Sequence, residues 1–368
     1  MKGWILLVGA GTFATGIFMS GCAGTLSSST ASKEDLGKAL FFDTSLSSPG
    51  GQSCGTCHDP GSFFTDPRGT VTAQGVLPGV FGKRQVPTAM YMSFSPKFGF
   101  SAEEGDYIGG QFWDGRAATL EEQAKGPFLN PAEMHNGSKQ EVIDKIRTGP
   151  LAEQFRKVYG SDVFSDTEKA YDDLADAIAA FERTDVFHPF SSKYDQYLKG
   201  KVQLTDAEMR GLHVFEEPNK GNCAACHPNR PGPHGEPPLF TDFSYDNIGL
   251  PKNTNNPFYS QPSWNNPDGN SFVDLGLSDT TSRPGDHGRF KVPTLRNVAM
   301  TGPYFHDGVF TTLEDVVRFY NQRDLGGFGP PECDEGVNDE ELGDLHLTAQ
   351  EQTDLVAFLK TLTDGYQP

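Results

Sequence analysis

CGTCH at residues 54–58 and CAACH at residues 223–227 decide how the rest of the chain must fold. Each sets two cysteines apart by two residues and follows the second with a histidine, which is the spacing of c-type haem attachment. Two thiols so placed can add across the two vinyl groups of one porphyrin. The next residue is then held beneath the iron, where imidazole is the usual proximal ligand. Cys54 and Cys57 with His58, and Cys223 and Cys226 with His227, therefore predict two covalently bound haem c groups. A redox dithiol has no need of the following His, and meeting it twice by chance is improbable. A structural zinc site would need two distant cysteine pairs to meet, whereas compact zinc modules keep them close.

The segments leading into the two motifs resemble each other. LGKALFFDTSLSSPGGQSCGTCH (36–58) and LTDAEMRGLHVFEEPNKGNCAACH (204–227) both read as a short amphipathic helix carrying a Gly, an apolar ending with Phe, a polar turn and the motif. One haem unit is used twice. In the first, Leu36, Leu40 and Phe41 share a face; in the second, Met209, Leu212, Val214 and Phe215 are expected at the haem edge. Helices are predicted over 139–159, 167–183, 312–321 and 348–363. The 368 residues suffice for two domains with cores of their own. Gly and Pro together are about 18% of the chain against roughly 12% in average usage, so ordered loops are expected to be extensive. The fold class is mostly α: two cytochrome c-like haem domains, 34–200 and 201–368, with long ordered loops such as 228–270.

The first residues, MKGWILLVGAGTFATGIFMSGCAG, have one Lys, an apolar run and small residues before Cys22. That is the layout of an export signal. MSGC at 19–22 resembles a lipoprotein cleavage box, so residues 1–21 are expected to be removed, Cys22 to carry lipid and 22–33 to serve as a tether. The expected location is the periplasm, at a membrane surface. A formal charge of −19 argues against nucleic-acid binding. The densest acidic run, 331–345, reads as a solvated loop, and Cys333 within it has no evident role.

With the motifs QFWDGRAATLEEQAKGPFLNPAEM (111–134) and FKVPTLRNVAMTGPYFHDGVFTTLEDVV (290–317) set beside the two CxxCH blocks, the chain resembles the bacterial di-haem cytochrome c peroxidase and MauG family over essentially its whole length. The resemblance implies that hydrogen peroxide reacts at the first haem and that the second haem stores or delivers an electron. It implies that Trp113 relays charge between the haems, and that Gln123 and Glu133 are the distal amide and acid–base groups. Pro127 corresponds to the proline that caps the distal pocket. Heterolysis of a peroxide bond needs a group that takes a proton from one oxygen and returns it to the other, and a carboxyl in an apolar pocket suits both tasks. Standing alone, Glu133 after a Pro would read as a helix-start acid. The resemblance also implies a calcium ion, with carbonyls of Thr301 and Pro303 as ligands and Gln85 where the family usually has Asn.

Two departures choose a branch. Where related peroxidases carry a His that blocks the first iron, this chain has Gln74, so the first haem is expected to keep an open sixth position. Where they carry a Met on the second iron, this chain has Tyr320, as MauG does, with Met300 as the alternative ligand. A thioether favours ferrous iron and a phenolate favours ferric and higher states. The resemblance then implies that both irons share the oxidising equivalents as Fe(IV) and pass them to a protein partner, expected at Trp. The rival enzyme reading reduces peroxide with electrons from a small cytochrome or copper protein. A pure electron carrier is the third reading, and Gln123 and Glu133 above an open iron argue against it.

Overall fold

The computed structural model describes Met1 and residues 32–367; the rest of the predicted signal (2–21), Cys22 and the tether up to 31 lie outside the described residues. Its helices are α1 (Lys33–Phe41), α2 (Cys54–Cys57), α3 (Leu120–Leu129), α4 (Lys139–Thr148), α5 (Ala152–Tyr159), α6 (Thr167–Glu182), α7 (Lys193–Leu198), α8 (Asp206–Glu216), α9 (Ser278–Thr281), α10 (Leu313–Gln322) and α11 (Ala349–Lys360). Long loops and short 3₁₀ turns connect them, as the Gly and Pro content predicts. Among the described residues strands are confined to two antiparallel pairs, β1 (Gly99–Ser101) with β2 (Asp106–Ile108), and β3 (Tyr245–Asp246) with β4 (Phe290–Lys291). Among the described residues no helix is long and apolar enough to cross a membrane.

Most of the helices begin where a side chain can satisfy their first N–H groups. Ser32 accepts from Asp35 N at 3.0 Å to start α1. Thr205 with Glu208, and Thr348 with Glu351, form capping boxes at α8 and α11. The helix predicted over 139–159 is two helices, α4 and α5. Pro150 has no N–H to donate and disfavours a helical residue before it, so the chain breaks at Gly149–Pro150.

The sequence repeat becomes a structural one at two glycines. α1 crosses α6 at Gly37, where a Cβ would lie 1.8 Å from Ala177 O, and α8 crosses α11 at Gly211, where it would lie 1.9 Å from Asp354 O. Only a residue without a side chain permits these approaches. Leu36, Leu40 and Phe41 of α1 pack with Leu174, Ile178 and Phe181 in one core, while Leu212, Val214 and Phe215 of α8 pack with Leu355, Phe358 and Leu359 in another. Met209 departs from the expectation, being 41% exposed. At about 100° per residue it is turned about 120° from Phe215 and leaves the packed face.

Loops lock these helices together. Leu239 and Phe243, just after the second motif, insert into the first core. Arg296 and Asp195 are each about 1% exposed and pair through two hydrogen bonds of 3.0 Å, with Arg296 Nε donating to Pro238 O at 2.7 Å. The 290–317 stretch is thereby held against α7. In the acidic run, Asp334, Glu335, Asp339 and Glu340 are exposed as expected, but Glu332 and Cys333 turn inward.

Candidate functional site

Each CxxCH block forms one tight helical turn, α2 in the first and Cys223–Ala225 in the second, so both thiols and the histidine face one cavity. None of the four motif cysteines is in a disulfide, and burial first of all pushes their thiols up in pKa. His58 Nδ1 lies 2.9 Å from Phe64 O and His227 Nδ1 lies 2.8 Å from Phe240 O. A backbone carbonyl can only accept, so Nδ1 carries the proton and Nε2 is left with a lone pair for a metal. Burial also depresses both imidazoles, which keeps them neutral. The walls are apolar: Phe41, Leu120, Ala124 and Ile178 in the first cavity, Phe215, Leu313, Val317 and Leu359 in the second. Paired thiols, a neutral imidazole of fixed tautomer and an apolar enclosure fit a covalent haem in each.

The first cavity gathers the residues expected above its iron. Gln123 and Pro127, both on α3, line it with Glu133, Trp113 and Gln74. Glu133 lies in the turn after α3, so its reading as a helix-start acid does not apply. Asn130 Nδ2 donates to Glu133 Oε1 at 2.7 Å. Burial raises the Glu133 carboxyl above its ordinary value, with Arg116 and Asn130 opposing. The turn is pinned from outside: Val76 N donates to Glu133 O at 2.8 Å, and a Cβ on Gly75 would fall 2.2 Å from Ala132 O. Gln74 uses its side-chain oxygen to accept from Gly79 N at 3.1 Å. Among the described residues no imidazole besides His58 lines this cavity.

In the second cavity Tyr320 and His227 line the wall together. Thr312 caps α10 by accepting from Asp315 N at 3.1 Å, and the helical period then turns Leu313, Val316, Val317 and Tyr320 to one face, towards the cavity. Burial pushes the Tyr320 phenol well above its usual value, so it ionises only against a strong Lewis acid. Met300, the alternative ligand, is 52% exposed and does not line the cavity. The local chain sends its side chain to solvent, which removes it as a candidate. The second cavity is about 200 Å³ and the first about 620 Å³.

Trp113 lines both cavities, and its indole Nε1 donates to Gln85 O at 2.9 Å. Gln85 Nε2 is 3.5 Å from Thr301 O, and Pro303 lines the same cavity. Exchanging the amide nitrogen and oxygen of Gln85 would put two carbonyl oxygens side by side, a donor set suited to a hard cation.

Three residues to which the sequence reading gave no role also face the cavities. Glu182, at the end of α6, lies in the first and is pushed up to about 8 by burial. His306 in the second has neither ring nitrogen partnered and stacks on Phe290 at 3.5 Å. Lys291 lines both. The available signal was a charge inside an apolar stretch, as in FKVPT, which surface placement explains equally well.

The profile of the di-haem cytochrome c peroxidase family matches residues 31–203. The methylamine utilization protein MauG of Paracoccus denitrificans is 40% identical over 352 residues, covering 90% of this chain and 89% of its own. Cytochrome c551 peroxidase of Nitrosomonas europaea is 35% identical over 344 residues, covering 92% and 81%. Among solved structures, the diheme peroxidase BthA of Burkholderia thailandensis superposes with a TM-score of 0.78 at 36% identity, covering 90% of this chain and 86% of that one.

Proposed function

Because the chain belongs to the di-haem cytochrome c peroxidase family and is thereby a haem-dependent oxidoreductase, we propose that it acts as a MauG-like enzyme, using hydrogen peroxide to oxidise a protein partner at tryptophan. The observation that carries this reading is Tyr320 facing the second cavity with His227, with Met300 turned to solvent. Bound haem supplies the iron at which peroxide is reduced to water by two electrons. The residues do the rest. His58 and His227 offer Nε2 as proximal ligands, and the thiols of Cys54, Cys57, Cys223 and Cys226 fasten the two rings. Glu133 takes a proton from one peroxide oxygen and returns it to the other, while Asn130 fixes its orientation and Gln123 holds the peroxide by hydrogen bonds. Pro127 and the apolar wall keep water out. Trp113, common to both cavities, carries charge between them.

Bound to the second iron as phenolate, Tyr320 would favour its oxidised forms and make it a poor acceptor of single electrons from a small carrier protein. In the same reading the haem domains divide near residue 200, and Thr301, Pro303 and Gln85 hold calcium. The protein works in the periplasm, anchored by lipid at Cys22. The test is Tyr320→Met in the purified two-haem protein. It is expected to raise the potential of the second haem, to gain turnover with a reduced small cytochrome and to lose oxidation of the protein partner. Tyr320→Phe is expected to change the second haem's spectrum. An unchanged spectrum in Tyr320→Phe would return the tyrosine to a packing role and leave a plain cytochrome c peroxidase as the better reading.

A further inference from the structure

The two cavities share a wall that includes Trp113, Lys291, Tyr304 and Phe305. Lys291 closes β4, and its backbone N donates to Trp113 O at 2.8 Å. Its side chain points inward: the residue is 6% exposed, and Nζ donates to Gly110 O at 2.7 Å. Among the described residues no carboxylate lies within ion-pair distance of that ammonium group, and one neutral carbonyl does not compensate a buried charge. The other cations of the first cavity are already matched. Lys83 pairs with Asp279 at 3.0 Å, Arg84 with Asp114 at 2.5 Å and Asp274 at 2.6 Å, and Arg116 with Asp114 at 2.8 Å. Among the described residues Lys291 is the one Lys or Arg lining the second cavity, beside the imidazoles of His227 and His306. In the protein alone, burial pushes the Lys291 ammonium down to about 7, with Asp114 opposing.

Each haem brings two carboxylates, and these need counter-charges when housed in apolar cavities. We propose that Lys291 Nζ is the counter-ion of a haem carboxylate at the wall shared by the two cavities, and that this pair sets the electrostatic environment of the haem and of Trp113. The inference rests on the two-haem reading of the site. An unpaired ammonium in the wall that Lys291 shares with Trp113 would oppose removal of an electron from the indole, and a carboxylate partner cancels that opposition. In this role Lys291 would hold the haem carboxylate by its charge and act on the potential without contacting the reacting atoms.

The experiment compares wild type, Lys291→Met and Lys291→Arg as purified protein in which mass spectrometry has counted two covalent haems per chain. A count below two in the wild type would sink the two-haem reading itself, independently of the lysine. The midpoint potentials of both haems are then read by spectroelectrochemical titration. Lys291→Met is expected to lower at least one of them, because removing a cation favours the ferric state, and Lys291→Arg is expected to hold it near the wild-type value. The proposal is overturned if both potentials are unmoved in Lys291→Met, or if Lys291→Arg shifts them as far as Met does, since packing rather than charge would then be responsible. Should the Met variant fail to retain haem, Lys291→Gln is titrated in its place and judged by the same two outcomes.

Discussion

Replacing Glu133 by Gln alters the proposed chemistry while leaving almost everything around it in place. The amide has the shape of the carboxyl, and its oxygen can still accept from Asn130 Nδ2, now 2.7 Å from Glu133 Oε1. What disappears is the ability to take a proton from one peroxide oxygen and hand it to the other. A positioned acid–base group contributes roughly a hundred- to ten-thousand-fold to such a step. The loss is therefore about 2.7–5.4 kcal/mol of transition-state stabilisation at about 1.36 kcal/mol per decade. It is read from the initial rate of peroxide consumption by stopped flow. The pH profile supplies a second readout. Because burial raises the Glu133 carboxyl in the folded protein, the acidic limb of the wild-type rate should lie above the ordinary glutamate pKa of about 4.3 and vanish in the variant. Stability should move the other way. A carboxyl with a raised folded-state pKa contributes stability below its unfolded pKa and loses it as pH rises through the folded value. Raising the pH through that folded value therefore costs the wild type stability that Glu133→Gln keeps, and the variant should melt no lower than wild type at the alkaline end. A rate loss under tenfold with an unmoved acidic limb would refute the acid–base assignment.

Trp113→Phe is expected to leave peroxide binding at the first haem intact and to abolish oxidation of the second, followed by rapid-scan spectroscopy; undiminished oxidation of the second haem would count against the relay. Arg296→Met should destabilise the fold by about 3–5 kcal/mol in thermal unfolding, because it strands a buried Asp195. Burial raises the Asp195 pKa, but its bonds to Arg296 outweigh this and hold it below the ordinary value. The stability it contributes is thus lost as pH falls through the folded pKa, and this acid dependence should fade in the variant. Gly211→Ala should destabilise by roughly 1–3 kcal/mol, since the added methyl meets Asp354 O and forces α8 from α11; a neutral result by chemical denaturation would show that the crossing has slack.

Local chemistry was legible from the residues alone. CGTCH and CAACH are five contiguous residues each, and their consequence needs no distant partner. The same is true of the capped helices α8, α10 and α11, whose start signals and apolar periods lie within one segment, whereas the glycines carried by α1 and α8 were visible but the crossings they permit, on Ala177 and Asp354, were not. Family register then pointed to Gln123, Glu133 and Tyr320, which line the cavities where the register put them. The break at Gly149–Pro150 could have been read locally, since Pro removes a donor wherever it stands. Other features exist only once distant segments meet. Nothing near Lys291 in sequence says that it faces both cavities, or that its ammonium finds only the carbonyl of Gly110 while Arg84 and Arg116 take the nearby carboxylates. Met209 and Met300 have the composition of core residues and lie exposed, because burial is decided by which neighbours arrive. Charge balance and burial sum over everything within a few ångströms, and so only the tertiary structure could determine them.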